Sequence, residues 1–206
     1  MTIMIRLFLN ICKSFHKIKH LDDHLIYAQM EKLCFDEASG CPSCNAPLPK
    51  CCRNGSYSRH FVCYDKHSVC NHVITIHSLI CSSCKKSHAL LPSVIIPWSS
   101  YSLGFIITLL YARLTRKFTS VLSLCEHFDI SECTYYRLMK RFTLDSRLLL
   151  SSIQTFMETL DLIQLLLSAD PKITHSALCI FHEATGYSFL QPCMKIRQMS
   201  SRKIPP

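Results

Sequence analysis

From about residue 100 onward, apolar side chains recur with a helical period. Leu103, Ile106, Ile107, Leu110 and Leu114 follow i, i+3, i+4, i+7, i+11, which lines one face of a helix, and Ser99 or Ser100 is placed to cap it. A second helix is predicted from Thr119 or Ser120, both good N-cap residues, with Val121, Leu124, Cys125 and Phe128 on its inner face. Phe128-Asp129-Ile130 interrupts the period and Ser131 caps a third helix, whose inner stripe is Tyr135, Leu138, Met139 and Phe142. Helix is predicted again between Leu148 and Leu167, and in a short segment that Pro171 starts and Gly186 ends.

Upstream the pattern has a different period. Tyr57, Arg59, Phe61 and Cys63 alternate with Ser58, His60 and Val62, and the stretch from Val73 to Ile80 is rich in β-branched residues. Both read as short strands, forming a hairpin with a long connection. Proline and serine punctuate the stretch from Pro92 to Ser100, which reads as a linker between two chemistries. Before the first cysteine pair, Leu21, Leu25 and Ala28, around Asp22 and Asp23, have weak helical spacing, and Ala38-Ser39-Gly40 marks a break. The chain thus divides into a helical N-terminal extension (1–40), a cysteine-rich unit (41–92), a helical unit (99–190) and a basic tail expected to be disordered (191–206).

Charge sharpens this division. The formal net charge is +9 over 206 residues. Residues 41–90 carry six basic residues against one acidic residue, Asp65, and residues 111–147 carry seven against four. Positive charge concentrated in two segments points to a polyanionic partner, most simply duplex DNA; the alternative is a generally basic, solvated surface. The uncharged run from Ala89 to Ala112 is broken by Pro92 and Pro97 and diluted by serines, so no membrane span is expected. Arg6 interrupts the apolar start of the chain and no small-residue cleavage site follows, so a cytoplasmic protein with reduced or metal-bound thiols is expected.

Fourteen cysteines include two C-x-x-C knuckles, Cys41-Pro42-Ser43-Cys44 and Cys81-Ser82-Ser83-Cys84. Two residues between thiols let a tight turn aim both sulfurs at one tetrahedral ion, and two such turns close an S₄ shell suited to one structural zinc. Lys85 and Lys86 follow the second knuckle, where their charge would offset a dianionic centre. The 36 residues between Cys44 and Cys81 exceed usual ribbon spacing, although a longer insertion costs little in loop closure. Cys51, Cys52, Cys63 and Cys70, with His60, His67, His72 and His77, are candidates for a second metal site, but their spacings match no metal pattern.

Residues 119–142 read as a helix-turn-helix, with Ile130 as the plug between helices. Burying the inner stripe of the third helix leaves Glu132, Thr134, Tyr136, Arg137, Lys140 and Arg141 outside. The N-terminal part of such a helix enters the major groove. Thr134, Tyr136 and Arg137 are therefore candidates for base edges, and Lys140, Arg141, Arg113, Arg116 and Lys117 for phosphates. A plain helical bundle with a solvated basic face would share this pattern, except that an exposed Tyr136 has less reason to exist there.

The stretch from Cys41 to Phe142 resembles a bacterial family, domain of unknown function 6431. The resemblance rests on both knuckles, on Gly55-Ser-Tyr-Ser-Arg59, on Ser87-His-Ala-Leu-Leu-Pro92 and on the helix after Ser131. It implies the zinc-ribbon and helix-turn-helix architecture of the N-terminal part of insertion-sequence transposases, detached from the nuclease. The long connection between knuckles, with its extra cysteines, departs from that pattern. The expected fold is α+β, a small zinc ribbon followed by a helical helix-turn-helix domain. The expected function is DNA binding without catalysis, as a mobile-element accessory protein or regulator. After Phe142 only Asp145, Glu158, Asp161, Asp170 and Glu183 remain as acids, without the sheet core a two-metal nuclease uses. The rivals are a protein–protein interaction module and a fragment of a transposase.

Overall fold

The strand expected at residues 57–63 extends beyond them in both directions. In the computed structural model, which describes residues 5–7, 41, 43–44, 46–47, 51–65, 67–92, 95–152, 158–167, 171–186 and 188–192, the chain is mixed α+β. Among these residues the strands are β1 (Ile5–Leu7), β2 (Cys51–Asp65), β3 (Ser68–Cys81) and β4 (Ser87–Pro92). The helices are α1 (Leu103–Leu114), α2 (Val121–His127), α3 (Glu132–Ser152), α4 (Thr159–Leu167) and α5 (Pro171–Thr185).

Strands β2 and β3 form an antiparallel hairpin, β4 pairs antiparallel with β3, and β1 adds in parallel at the β4 edge, giving the order β1-β4-β3-β2. The expected long connection is not there. Asp65 pairs directly with Ser68, so two residues turn the chain, and His67 takes a left-handed φ of 66°. Two-residue hairpin turns need positive φ, which is usually announced by Asn-Gly or Asp-Gly; Lys66-His67 carries no such signal. The 36-residue gap between knuckles is thus largely spent on two long paired strands, which return Cys81 to the level of Cys51. One irregularity falls between Arg53 and Ser56, where β2 carries an extra residue against β3 and Gly55 adopts φ 90°, as a bulge residue in that region does at no steric cost.

The hairpin buries both faces near its turn, and alternation assigns its residues to two cores. Phe61, Cys63, Ile74 and Ile76 pack with Ala89, Leu91 and Ile95. Val62, Tyr64 and Val69 point the other way, onto the helical core. That second core gathers Phe105, Ile106, Leu109 and Leu110 of α1, Leu124 of α2, Phe128, Tyr135, Leu138 and Phe142, Leu162 and Ile163 of α4, and Phe181 of α5. Tyr64 stacks on Phe128 with centroids 4.8 Å apart, and its hydroxyl lies 2.7 Å from Nε2 of His127. Burial of the Tyr64 ring raises its hydroxyl pKa.

The expected linker is docked as well. Ile95, Ile96, Pro97 and Ser99 are buried. The Val62 amide donates to the Ser100 carbonyl (2.7 Å), and the Ser102 amide donates to the Val62 carbonyl (2.8 Å). Because the backbone at 100–102 is committed to β2, the helix cannot begin at Ser99 or Ser100. Ser102 is the N-cap, its hydroxyl accepting from the Phe105 amide at 3.1 Å.

The remaining helix ends follow their sequence signals. Ser120 and Ser123 cap α2 reciprocally, and the Ser131 hydroxyl accepts from the Thr134 amide at 3.2 Å at the start of α3. Helix α5 begins at Pro171, and Gly186 closes it with φ 74° and an amide that donates to the His182 carbonyl at 2.8 Å. Of the helical extension expected over 1–40, only Ile5–Leu7 and no other residue is described, and it is a strand, drawn into the sheet by pairing with Leu90–Pro92. The tail expected to be disordered lies outside the described residues from 193 onward. No described helix is long and apolar enough to cross a membrane.

Candidate functional site

The sheet brings the two knuckles together. Strand β3 delivers Cys81 at its end, and the Lys85 amide closes a turn on the Cys81 carbonyl at 2.8 Å, with Lys85 itself at φ 58°. On the other side the Cys41 amide donates to the Ala46 carbonyl at 2.8 Å. The result is a cluster in which the sulfurs of Cys41, Cys44, Cys81 and Cys84 all lie within 4.8 Å of one another, an arrangement able to hold a metal ion. Two opposite edges, Cys41–Cys84 and Cys44–Cys81, each measure 3.7 Å, and none of the four is in a disulfide.

The thiols share their protons unequally. The Cys84 amide, opposed by burial and assisted by the Ser83 amide and the Cys44 and Cys84 thiols, lowers Cys81 to about 6. Cys44 is pushed up to about 12: the Ala46 amide pulls it down, but burial and the thiols of Cys41, Cys81 and Cys84 outweigh that pull. A group of thiols in which one proton leaves readily and the next is held is the state a cation relieves, since metal binding displaces protons from its ligands.

His88 completes the surroundings and was not singled out by spacing. It is fully buried on β4, paired with Leu79 of β3, and its Nε2 lies 3.3 Å from the sulfur of Cys41. Ligand sulfurs and their hydrogen-bonding neighbours act together in metal sites, which fix ligand orientation through such outer contacts. The available signal was its position four residues after Cys84 on an alternating strand. Of the thiols proposed for a second site, Cys63 and Cys70 belong to the hairpin core and to no metal-sized group among the described residues. Cys63 and Cys70 face each other across the hairpin within the apolar core between β2, β3 and β4, and Cys51 and Cys52 lie on β2 near the knuckles. Among the described residues, no other group of three or more His, Cys, Asp or Glu side chains is close enough to hold a metal.

The basic candidates lie on α3 and at the end of α1. Between α2 and α3 the chain turns through Asp129 at φ 49°, with the Ile130 amide donating to the Cys125 carbonyl at 3.0 Å. Ile130 is half-buried against the helical core, and Tyr135, Leu138 and Phe142 are buried beneath α3. Tyr136 is 57% exposed, and Arg137 and Lys140 are exposed, while Thr134 and Arg141 are half-buried. Arg137 donates from Nε to the Cys133 carbonyl (3.3 Å) and from Nη2 to the Thr134 hydroxyl (3.2 Å), so its guanidinium lies along the first turns of α3. Arg116 and Lys117 are exposed and Arg113 half-buried; the Lys117 ammonium sits 5.7 Å from the Tyr111 ring centroid. Asp145, by contrast, is buried, and its carboxylate accepts from the Leu190 amide at 2.7 Å, tying α3 to the turn after α5.

Residues 41–137 match the family Domain of unknown function (DUF6431), the family suggested by the knuckles and the helix after Ser131. The match takes in the cysteine cluster, the hairpin and the helices as far as Arg137. No curated protein and no solved structure matches the chain.

Proposed function

We propose that the DUF6431 segment of this chain is a zinc-stabilised unit that binds duplex DNA, and that the protein serves a mobile element as an accessory factor or regulator. The observation that carries the reading is the pairing of a seven-residue α2 with a long α3 across a tight turn, with Tyr136, Arg137 and Lys140 exposed together on α3. That pairing supports a helix-turn-helix reading, in which the second helix enters the major groove.

The metal we assign to the cluster is zinc. Four thiolates bound tetrahedrally at about 2.3 Å would place their sulfurs about 3.8 Å apart. The two 3.7 Å edges agree with that spacing. An all-cysteine shell leaves no position for substrate, so the ion would clamp the knuckle end of a zinc ribbon rather than catalyse. Lys85 and Lys86 are exposed beside it and would offset its negative charge.

In this reading the residues divide by role. Thr134, Tyr136 and Arg137 face base edges from the first turns of α3, and Lys140, Arg141, Arg113, Arg116 and Lys117 hold phosphates on either side. The contact between Tyr64 and His127 links the hairpin to α2, the helix that precedes the reading helix. A protein-docking module is the second reading, favoured by Leu144 and Leu148, which are exposed one turn apart on α3. Gel-shift titration with genomic fragments at two salt concentrations separates the two. DNA binding that weakens steeply with salt supports the proposal; no shift at low salt overturns it.

A further inference from the structure

Trp98 occupies a position that a tryptophan fills at a cost. Ile96-Pro97-Trp98-Ser99 forms a tight turn closed by the Ser99 amide on the Ile96 carbonyl at 3.2 Å. Pro97 supplies the fixed φ of the second corner, and Trp98 takes the third at φ 57°. That corner is left-handed and normally belongs to glycine, because a Cβ crowds the backbone there. The surrounding structure holds the strain. The Arg59 guanidinium reaches from β2 and donates to the carbonyls of both Ile96 and Ser99, bracketing the tryptophan. The neighbours Ile96, Pro97 and Ser99 are buried, yet the indole is 51% exposed.

A scattered exposed apolar residue needs no explanation, but a bulky one forced into a glycine conformation and braced outward does. Its neighbours indicate the ligand. Arg59 also engages the hydroxyl of Tyr57, a second exposed aromatic. Three residues on, the Tyr101 hydroxyl feels the charges of both Asp129 and Arg137, and its pKa is raised by burial and by Asp129 against the pull of Arg137. Three residues span at most about 10 Å. The tryptophan turn therefore lies within three residues of a side chain that senses the end of α3 assigned to base edges, on a basic chain.

We propose that Trp98 is a nucleic-acid contact that stacks on a DNA base open to it, unpaired or displaced from the duplex. The inference rests on the DNA-binding reading and adds to it a preference for distorted or unpaired DNA. Aromatic side chains bind bases through their faces, and a base still in the duplex stack offers none.

The chain has one tryptophan, so its fluorescence reports this residue alone. Full-length protein is titrated into two labelled duplexes of mixed sequence, one fully paired and one with a single unpaired base, following anisotropy for binding and tryptophan emission for stacking. The unpaired-base duplex should bind more tightly and quench the emission. Trp98→Ala should weaken that binding roughly tenfold and abolish the preference, while Trp98→Phe keeps most of it. Trp98→Gly should lose the preference as well, yet melt no lower than the parent protein, because glycine suits the left-handed corner. Binding without quenching, or an unchanged preference in Trp98→Ala, overturns the inference and leaves the DNA-binding reading standing. A lower melting temperature for Trp98→Gly also overturns it, since the indole would then be structural. No anisotropy change with either duplex overturns both.

Discussion

The knuckle end of the sheet and the helical bundle are stabilised by opposite means. The bundle buries Phe105, Phe128, Phe142, Phe181 and a full set of leucines and isoleucines in one core, enough apolar surface to hold helices together without help. Around Cys41–Cys84 the chain offers polar turns, exposed lysines and four sulfurs, with little apolar surface of their own. A region so poor in core depends on a cross-link or a metal. The β2–β3 hairpin joins them, clamped by cysteines at one end and packed on α2 at the other. The difference teaches that metal loss should act locally, and that the helices should survive it.

Removing the metal is the largest perturbation. Purified protein should contain about one zinc per chain, and Cys41→Ser or Cys84→Ser should bring that close to zero. The sheet end should unfold with it, because ligation and folding are coupled at such sites. Helical circular dichroism should remain. Zinc retained in both variants would break the comparison at its first term, and loss of all helix would break the second.

Phe128→Ala comes next. The ring sits under Tyr64 and edge-on to Phe105, so its removal opens a cavity where hairpin and bundle meet. It should cost about 3–5 kcal/mol in urea unfolding. A cost under about 1 kcal/mol would show that the two regions are not packed together.

On the DNA side, Arg137→Ala should cost roughly 1–3 kcal/mol on a preferred site and relax specificity there, without lowering stability. The smallest effect expected is at Ser120. Its hydroxyl accepts from the Ser123 amide, so Ser120→Ala should destabilise the bundle by about 1 kcal/mol and leave zinc content unchanged.

Legibility in the sequence follows from how local each cause is. Serine caps at Ser120 and Ser131, the inner stripe of α3, Pro171 and Gly186 act within one turn, and all were readable. The two knuckles were readable because ligand spacing is itself a local constraint. The hairpin turn was hidden because its left-handed residue is His67 rather than glycine or asparagine. Trp98 carries no glycine signal either, its turn being held by Arg59 from a distant strand. Burial of Ile95, Ile96, Pro97 and Ser99 could not be read either. Prolines and serines signal a linker, and only pairing of Val62 with residues 100 and 102 makes them part of the core. His88 required knowing which face of β4 meets Cys41.

The central claim is that the outer face of α3 binds duplex DNA, and salt dependence tests it most directly. Affinity for a single labelled duplex is measured across a salt series for the parent protein and for Lys140→Ala. The account predicts a steep fall in affinity with salt for the parent, and a slope reduced by about one unit in the variant, as expected when one phosphate contact is lost. A parent protein whose binding is indifferent to salt, or a variant with the parent's slope and affinity, would contradict it.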